Sequence, residues 1–295
     1  MPGNKPNNKY LFHKFEAANN REGSAGTKAN RASHLHIMAR ELSEMGYRHL
    51  SPKNFKRKHL DALLRHWMEK GLAIVTIKGR MATIRWLAAK IGKPNVVPRT
   101  NAELGIPDRV HVPTESKAFT LTPEMLERVP CPYVRISLEF EEKFGMRREE
   151  AIKIRPHEAD KGGKLVLQAT WCKGKRAREI PIRTFEQREL VDRAKVLAQS
   201  TPEGSLIPTA TYRQHIKAYE RQTYRAGIRR PHGLRHAYAQ ARYEELTGRP
   251  CAAAGGKARE ALGPEEKALD AGARRIISDE MGHGRRQVSV QYLGK

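Results

Sequence analysis

Between residues 93 and 118 the chain carries four prolines, few apolar side chains and no hydrophobic period. Proline removes a backbone donor and clashes with the preceding turn, so no helix or strand can run unbroken through such a stretch. The composition predicts an extended linker over 96–118, and with it two separately packed domains. Ahead of it, residues 1–27 form a basic, polar lead-in. Its start, Met-Pro-Gly-Asn-Lys-Pro-Asn-Asn-Lys, lacks the apolar core of a signal peptide.

Residues 28–95 read as a helical bundle. Leu35, Met38, Ala39, Leu42 and Met45 keep the spacing of one apolar helix face. Leu60, Leu63, Leu64 and Trp67 repeat it up to Gly71. Ile77, Met81, Ile84, Leu87 and Ile91 make a third stripe, closed by Gly92-Lys-Pro94. The other faces carry Lys53, Lys56, Arg57, Lys58, Lys78, Arg80 and Arg85, many near helix starts, where they would lie well along a phosphate backbone.

Residues 119–295 read as mainly α with one small β-hairpin, so the fold class is α+β. Thr122 caps a helix with Pro123 at its first position, and a second helix runs from Tyr133 to Phe144. The β-branched run Lys164–Trp171 and Ile180–Ile182 flank the basic turn Cys172-Lys-Gly-Lys-Arg-Ala-Arg178, which predicts a hairpin with Lys173 and Lys175 at its tip. Helices follow over about 184–199 and 209–226. The second interleaves Tyr212, Arg213, His215, Lys217 and Tyr219, a pattern that suits a DNA surface.

Lysine and arginine number 56 against 32 acids, a formal charge of +24, which favours a polyanionic partner, nucleic acid above all. No apolar run approaches the ~20 residues needed to span a bilayer. Three cysteines without a Cys-x-x-Cys pair argue against a disulfide scaffold or a zinc finger and fit a reducing cytoplasm.

The chemistry concentrates near the C-terminus. His232 and Arg235 sit three apart in His-Gly-Leu-Arg-His-Ala-Tyr-Ala, on one face if the segment is helical. His283 follows Met281-Gly282, and Tyr292 lies nine residues further on. A cation, two proton-handling imidazoles and a hydroxyl nucleophile are what phosphoryl transfer without a metal requires. Free tyrosine titrates near ~10, so neighbouring cations must favour its phenolate as it attacks.

These blocks resemble the second conserved box of the tyrosine recombinases (phage-type integrases), His-x-Leu-Arg-His-x-x-Ala and then Leu-Gly-His followed by Tyr, with Met281 replacing Leu. Gly145-Met-Arg147-Arg148-Glu149-Glu150 is similar to that family's first box, Thr-Gly-Leu-Arg-x-x-Glu, with Phe144 replacing Thr. Lys173-Gly-Lys-Arg-Ala-Arg-Glu-Ile-Pro181 is similar to its hairpin lysine pattern. The resemblance implies an N-terminal SAM-like core-binding bundle and a tyrosine-recombinase catalytic domain. It also implies a catalytic set of Arg147, Lys173, His232, Arg235, His283 and Tyr292, with Glu150 as a structural partner. His236, Tyr238 and Tyr243 read as core or helix-packing residues. No cofactor or metal is expected.

The implied activity is site-specific cutting and rejoining of DNA through a 3′-phosphotyrosyl intermediate, for integration or excision of a mobile element. A tyrosine topoisomerase of the 3′-linked type and a basic DNA-binding protein with a dead site remain as alternatives. Implied partners are double-stranded recombination sites, a tetramer of this chain on DNA and an accessory directionality protein, with no membrane. The stretch from His232 to His283 exceeds the family pattern by a segment rich in Ala and Gly between Gly248 and Arg274, a candidate surface for protomer contact. Only Leu293-Gly-Lys295 follow Tyr292, too little for a docking helix.

Overall fold

The apolar periods of the N-terminal part close into three helices in a computed structural model that describes residues 22–108, 115–283 and 289–295. The chain divides into two units, residues 1–110 and 111–295. In the first, α1 (Ala25–Glu44) starts at Ser24, whose hydroxyl accepts from the Thr27 amide. Helices α2 (Arg57–Glu69) and α3 (Ile74–Lys90) follow. Leu35, Met38, Leu42, Leu60, Leu63, Trp67, Ile77, Met81, Ile84 and Leu87 form one core, as their spacing predicts.

Two expectations change here. Arg80 does not face outward: it is buried and bonded to the buried Glu41 (3.2 Å), which also accepts from the Trp67 indole (2.7 Å). A carboxylate inside this core demands a cation, and Arg80 supplies it. The first half of the expected linker also packs. Val97 and Ile106 are buried in the same cluster, and Arg85 donates to the Pro98 and Thr100 carbonyls (2.9 and 3.0 Å). Lys53, Lys56, Arg57 and Lys58 are exposed, whereas Lys78 pairs with Asp108 at 3.0 Å.

The second unit opens with α4 (Pro123–Glu127), capped by Thr122, and α5 (Pro132–Lys143). Short helices α6 (Arg148–Lys153) and α7 (Pro156–Ala159) lead into an antiparallel pair, β1 (Lys164–Leu167) and β2 (Arg178–Pro181), with Leu165 opposite Ile180. The first strand is shorter than its apolar run: the chain turns at Gln168, and Trp171 and Cys172 are buried in the core beneath the hairpin. Helices α8 (Phe185–Ala198) and α9 (Tyr212–Arg225) each begin with a reciprocal Thr–Gln cap, which sets α9 later than the pattern suggested. Then come α10 (His232–Thr247), α11 (Pro264–Glu280) and the single turn α12 (Val290–Leu293). Helix α5 packs against α6, α8 and α10, so the first box and the histidine–arginine block meet across it. Among the described residues, no helix is long and apolar enough to cross a membrane.

Candidate active site

The site assembles where α11 ends. A helix leaves its last carbonyls without backbone partners, and the negative end of its dipole favours cations. Here three guanidiniums take three successive carbonyls. Arg178 Nε donates to Glu280 O (2.8 Å), Arg235 Nη2 to Met281 O (2.5 Å) and Arg147 Nη2 to Gly282 O (3.1 Å). Gly282 holds φ at +65°, which turns His283 back toward the cluster, and a side chain there would collide with Arg178.

Glu150 binds two of these arginines. It accepts from Arg147 Nη1 (2.8 Å) and from both Arg178 terminal nitrogens (2.9 and 2.7 Å), and its other role is to cap the Arg147 amide. Burial alone would raise its pKa. The Arg178 hydrogen bonds and charge, with Arg147, overcome this and hold it at about 2.

Arg235 is wholly buried on α10. Besides Met281 O it donates to the Gly145 carbonyl, to His283 Nε2 (3.0 Å) and to Tyr292 Oη (3.3 Å). Gly145 sits at φ +58° with Tyr238 packed against it, leaving no room for a side chain and aiming its carbonyl at the arginine. Tyr292 Oη also lies 3.3 Å from His232 Nε2. The Tyr292 ring is 6% exposed and held between imidazoles, 4.5 Å from His236 and stacked 5.2 Å from His283.

Desolvation is the first cause of a lowered pKa for every imidazole here, followed by the arginine charges for His283 and His232 and by His232 and Lys117 for His236. His283 is pushed down to about 3 and His236 to about 4, and His232 is lowered. The same burial brings Arg235 down to about 10. The histidines are therefore neutral over ordinary pH. Arginine can only donate, so His283 Nε2 is an acceptor and its proton sits on Nδ1, which is buried with no protein partner among the described residues.

A cavity of about 380 Å³ is lined by Arg147, Arg148, Lys173, Tyr212, His232, His283 and Tyr292 among others. Five of the six expected catalytic residues thus face one space. The sixth, Arg235, lies behind its wall, in contact with Tyr292 and His283. Lys173 and Lys175 are exposed on the hairpin turn, where Lys175 adopts φ +53°, and Arg213 is exposed on α9. Two residues of the site escaped the sequence reading. Arg178 was visible only as one more basic residue of the hairpin, and His236 as packing. Among the described residues, no group of three His, Cys, Asp or Glu is placed to hold a metal ion.

The phage integrase N-terminal model matches residues 13–97, and the integrase model matches residues 123–241. The chain belongs to the tyrosine recombinase family of phage-type integrases. The second match ends before His283 and Tyr292. No curated protein sequence matches the chain. Solved structures share the fold at low identity. A lambda integrase dimer bound to a COC' core site is 14% identical with a TM-score of 0.62, covering 96% of this chain and 76% of that one. The Tn1549 transposon integrase in complex with transposon right end DNA is 12% identical with a TM-score of 0.56, covering 98% and 95%. XerH site-specific recombinase bound to difH substrate is 18% identical with a TM-score of 0.52, covering 90% and 75%.

Proposed function

We propose that this chain is a site-specific DNA recombinase that cuts and rejoins DNA through a 3′-phosphotyrosyl intermediate on Tyr292, serving integration or excision of a mobile element. The observation that carries the reading is Tyr292 Oη at 3.3 Å from both His232 Nε2 and Arg235 Nε, beside a cavity bordered by Arg147 and Lys173. In the proposed step, the phenolic oxygen attacks phosphorus and the bond to the 5′-bridging oxygen breaks. His232, neutral because its pKa is lowered, accepts the phenolic proton. Arg147, Arg235 and the His283 Nδ1 proton stabilise the negative charge that builds on the non-bridging oxygens. Lys173 gives a proton to the departing 5′-oxygen. The phosphodiester bond energy stays in the tyrosyl ester, so no nucleotide triphosphate is consumed, and rejoining is the reverse.

The N-terminal helical unit is proposed to bind the core site, with Lys53, Lys56, Arg57 and Lys58 along the phosphate backbone and with Lys175 and Arg213 adding contacts from the second unit. Lambda integrase has been solved as a tetramer bound to a Holliday junction, and the same working unit in the cytoplasm is proposed here. The decisive experiment incubates the protein with a pool of nicked duplexes of randomised sequence and recovers DNA attached to protein after denaturation. A sequence-enriched adduct supports the reading. Adducts without sequence preference, together with relaxation of a lone supercoiled plasmid, indicate a topoisomerase, and no adduct at all indicates a binding protein.

Two further outcomes are expected. Because His232 must be neutral and its pKa lies below the ordinary value near 6.5, the single-turnover cleavage rate stays flat on acidification through that value and falls only below it. A half-maximal point above about pH 6.5 counts against His232 as the base. Lys173→Ala slows cleavage of an ordinary substrate but not of one with sulfur at the 5′-bridging position, since a thiolate leaves without a proton. Equal slowing of both removes Lys173 from the acid role.

A further inference from the structure

The segment that exceeds the family pattern packs against the tyrosine helix of its own chain. After Gly248 ends α10, Cys251 is buried and Ala252–Ala254 form a 3₁₀ turn that contacts α12. Cys251, Ala253, Ala273, Ile277, Met281, Tyr292 and Leu293 share one apolar cluster. Beyond Leu293, Gly294 adopts φ +75° and ψ −179°, a conformation that only glycine holds without strain. A side chain there would meet the Ala253 amide and Ala252. Arg274 Nη1 donates to the Gly294 carbonyl at 3.0 Å, while its Nε is fixed on both oxygens of the buried Asp270 (2.8 and 2.9 Å). Asp270 is itself held by the Tyr243 hydroxyl at 2.8 Å and lies 3.5 Å from Arg259 of the inserted segment.

A helix of four residues cannot hold its own place, because nucleating one turn fixes more torsions than its hydrogen bonds repay. Yet Tyr292 Oη has to sit between His232 and Arg235, and a displacement of about 1 Å at a reacting group can cost on the order of 10²-fold in rate. We propose that the Asp270–Arg274 pair and the 251–254 turn form a latch that positions Tyr292 for attack within its own protomer. Arg274 is a positioning residue: it touches no reacting atom and acts through the Gly294 carbonyl. The inference rests on Tyr292 being the nucleophile.

The test uses the full chain on a nicked duplex recovered from the randomised pool, with single-turnover adduct formation and DNA affinity measured side by side. Arg274→Ala is expected to slow adduct formation by about 10- to 100-fold with affinity retained, and Arg274→Lys, which can still reach the Gly294 carbonyl, to recover most of the rate. Gly294→Ala lies after helix α12 and presses on the 251–254 turn, so it disturbs the seat from the other side, and it should slow cleavage similarly. A fluorine label, 3-fluorotyrosine at position 292, gives one ¹⁹F resonance in the parent. It shifts or splits in Arg274→Ala and Gly294→Ala without DNA present, and stays parental in Arg274→Lys. Parental cleavage in both Arg274→Ala and Gly294→Ala, or an unchanged resonance in both, overturns the latch. Adduct formation by Tyr292→Phe overturns the nucleophile assignment instead.

Discussion

Tyr292→Phe is expected to reduce covalent attachment to DNA to background while leaving DNA affinity nearly unchanged. The ring keeps its packing against His236 and His283 when the hydroxyl is removed, so the helix retains its seat. Only two hydrogen bonds of 3.3 Å disappear, a stability change of about 1 kcal/mol. Chemistry should fail, because no other tyrosine near the site among the described residues is poised to attack. Tyr212 also lines the cavity, but burial first, then Glu149, push its pKa up to about 12. Tyr243 is 1% exposed and its hydroxyl is committed to Asp270. Burial first, then Asp270, push its pKa up to about 12. Gel analysis of denatured reaction mixtures checks the outcome, and an adduct of undiminished yield removes Tyr292 from the nucleophile's role.

Arg235→Ala should lose about 10²–10³ in cleavage rate from the missing charge on the transferring phosphate. It should also cost stability. The Gly145 and Met281 carbonyls would be left buried without their donor, at roughly 1–3 kcal/mol each. Lysine is a poor substitute, since an ammonium cannot serve two carbonyls, an imidazole and a phenol from one planar fork. A further consequence separates the electrostatic role from packing. Arg235 is the largest charge depressing both His283 and His232, so its removal should raise the pKa of each toward the ordinary range. Imidazole NMR titrations of the wild type and Arg235→Ala measure this directly, and unchanged values in the variant contradict it.

The helical stripes were legible because burial on one face of a helix imposes a local period, and Leu60, Leu63, Leu64 and Trp67 all lie in the core. The histidine–arginine block was legible because its residues lie within one helical turn. What sequence could not disclose were pairings between distant positions. Nothing in the local pattern distinguishes Arg80, which neutralises a buried Glu41, from Arg57, which stays exposed. Arg178 looked like its hairpin neighbours, yet its carboxylate partner lies 28 residues earlier and its carbonyl partner 102 residues later. His236 occupies the apolar side of α10, which predicts packing. The sequence did not reveal that the ring it packs on belongs to Tyr292.

The three guanidiniums on carbonyls 280 to 282 have a consequence for the order of folding. Their partners are separated along the chain by 135, 102 and 46 residues, and contacts of such long range form after local helices and hairpins because loop closure must come first. Without α11, Arg147 and Arg178 keep Glu150 and Arg235 keeps the Gly145 carbonyl, but the row of carbonyls that gathers all three around one phosphate is missing. A folding chain is therefore expected to bind nucleic acid before it can cut it.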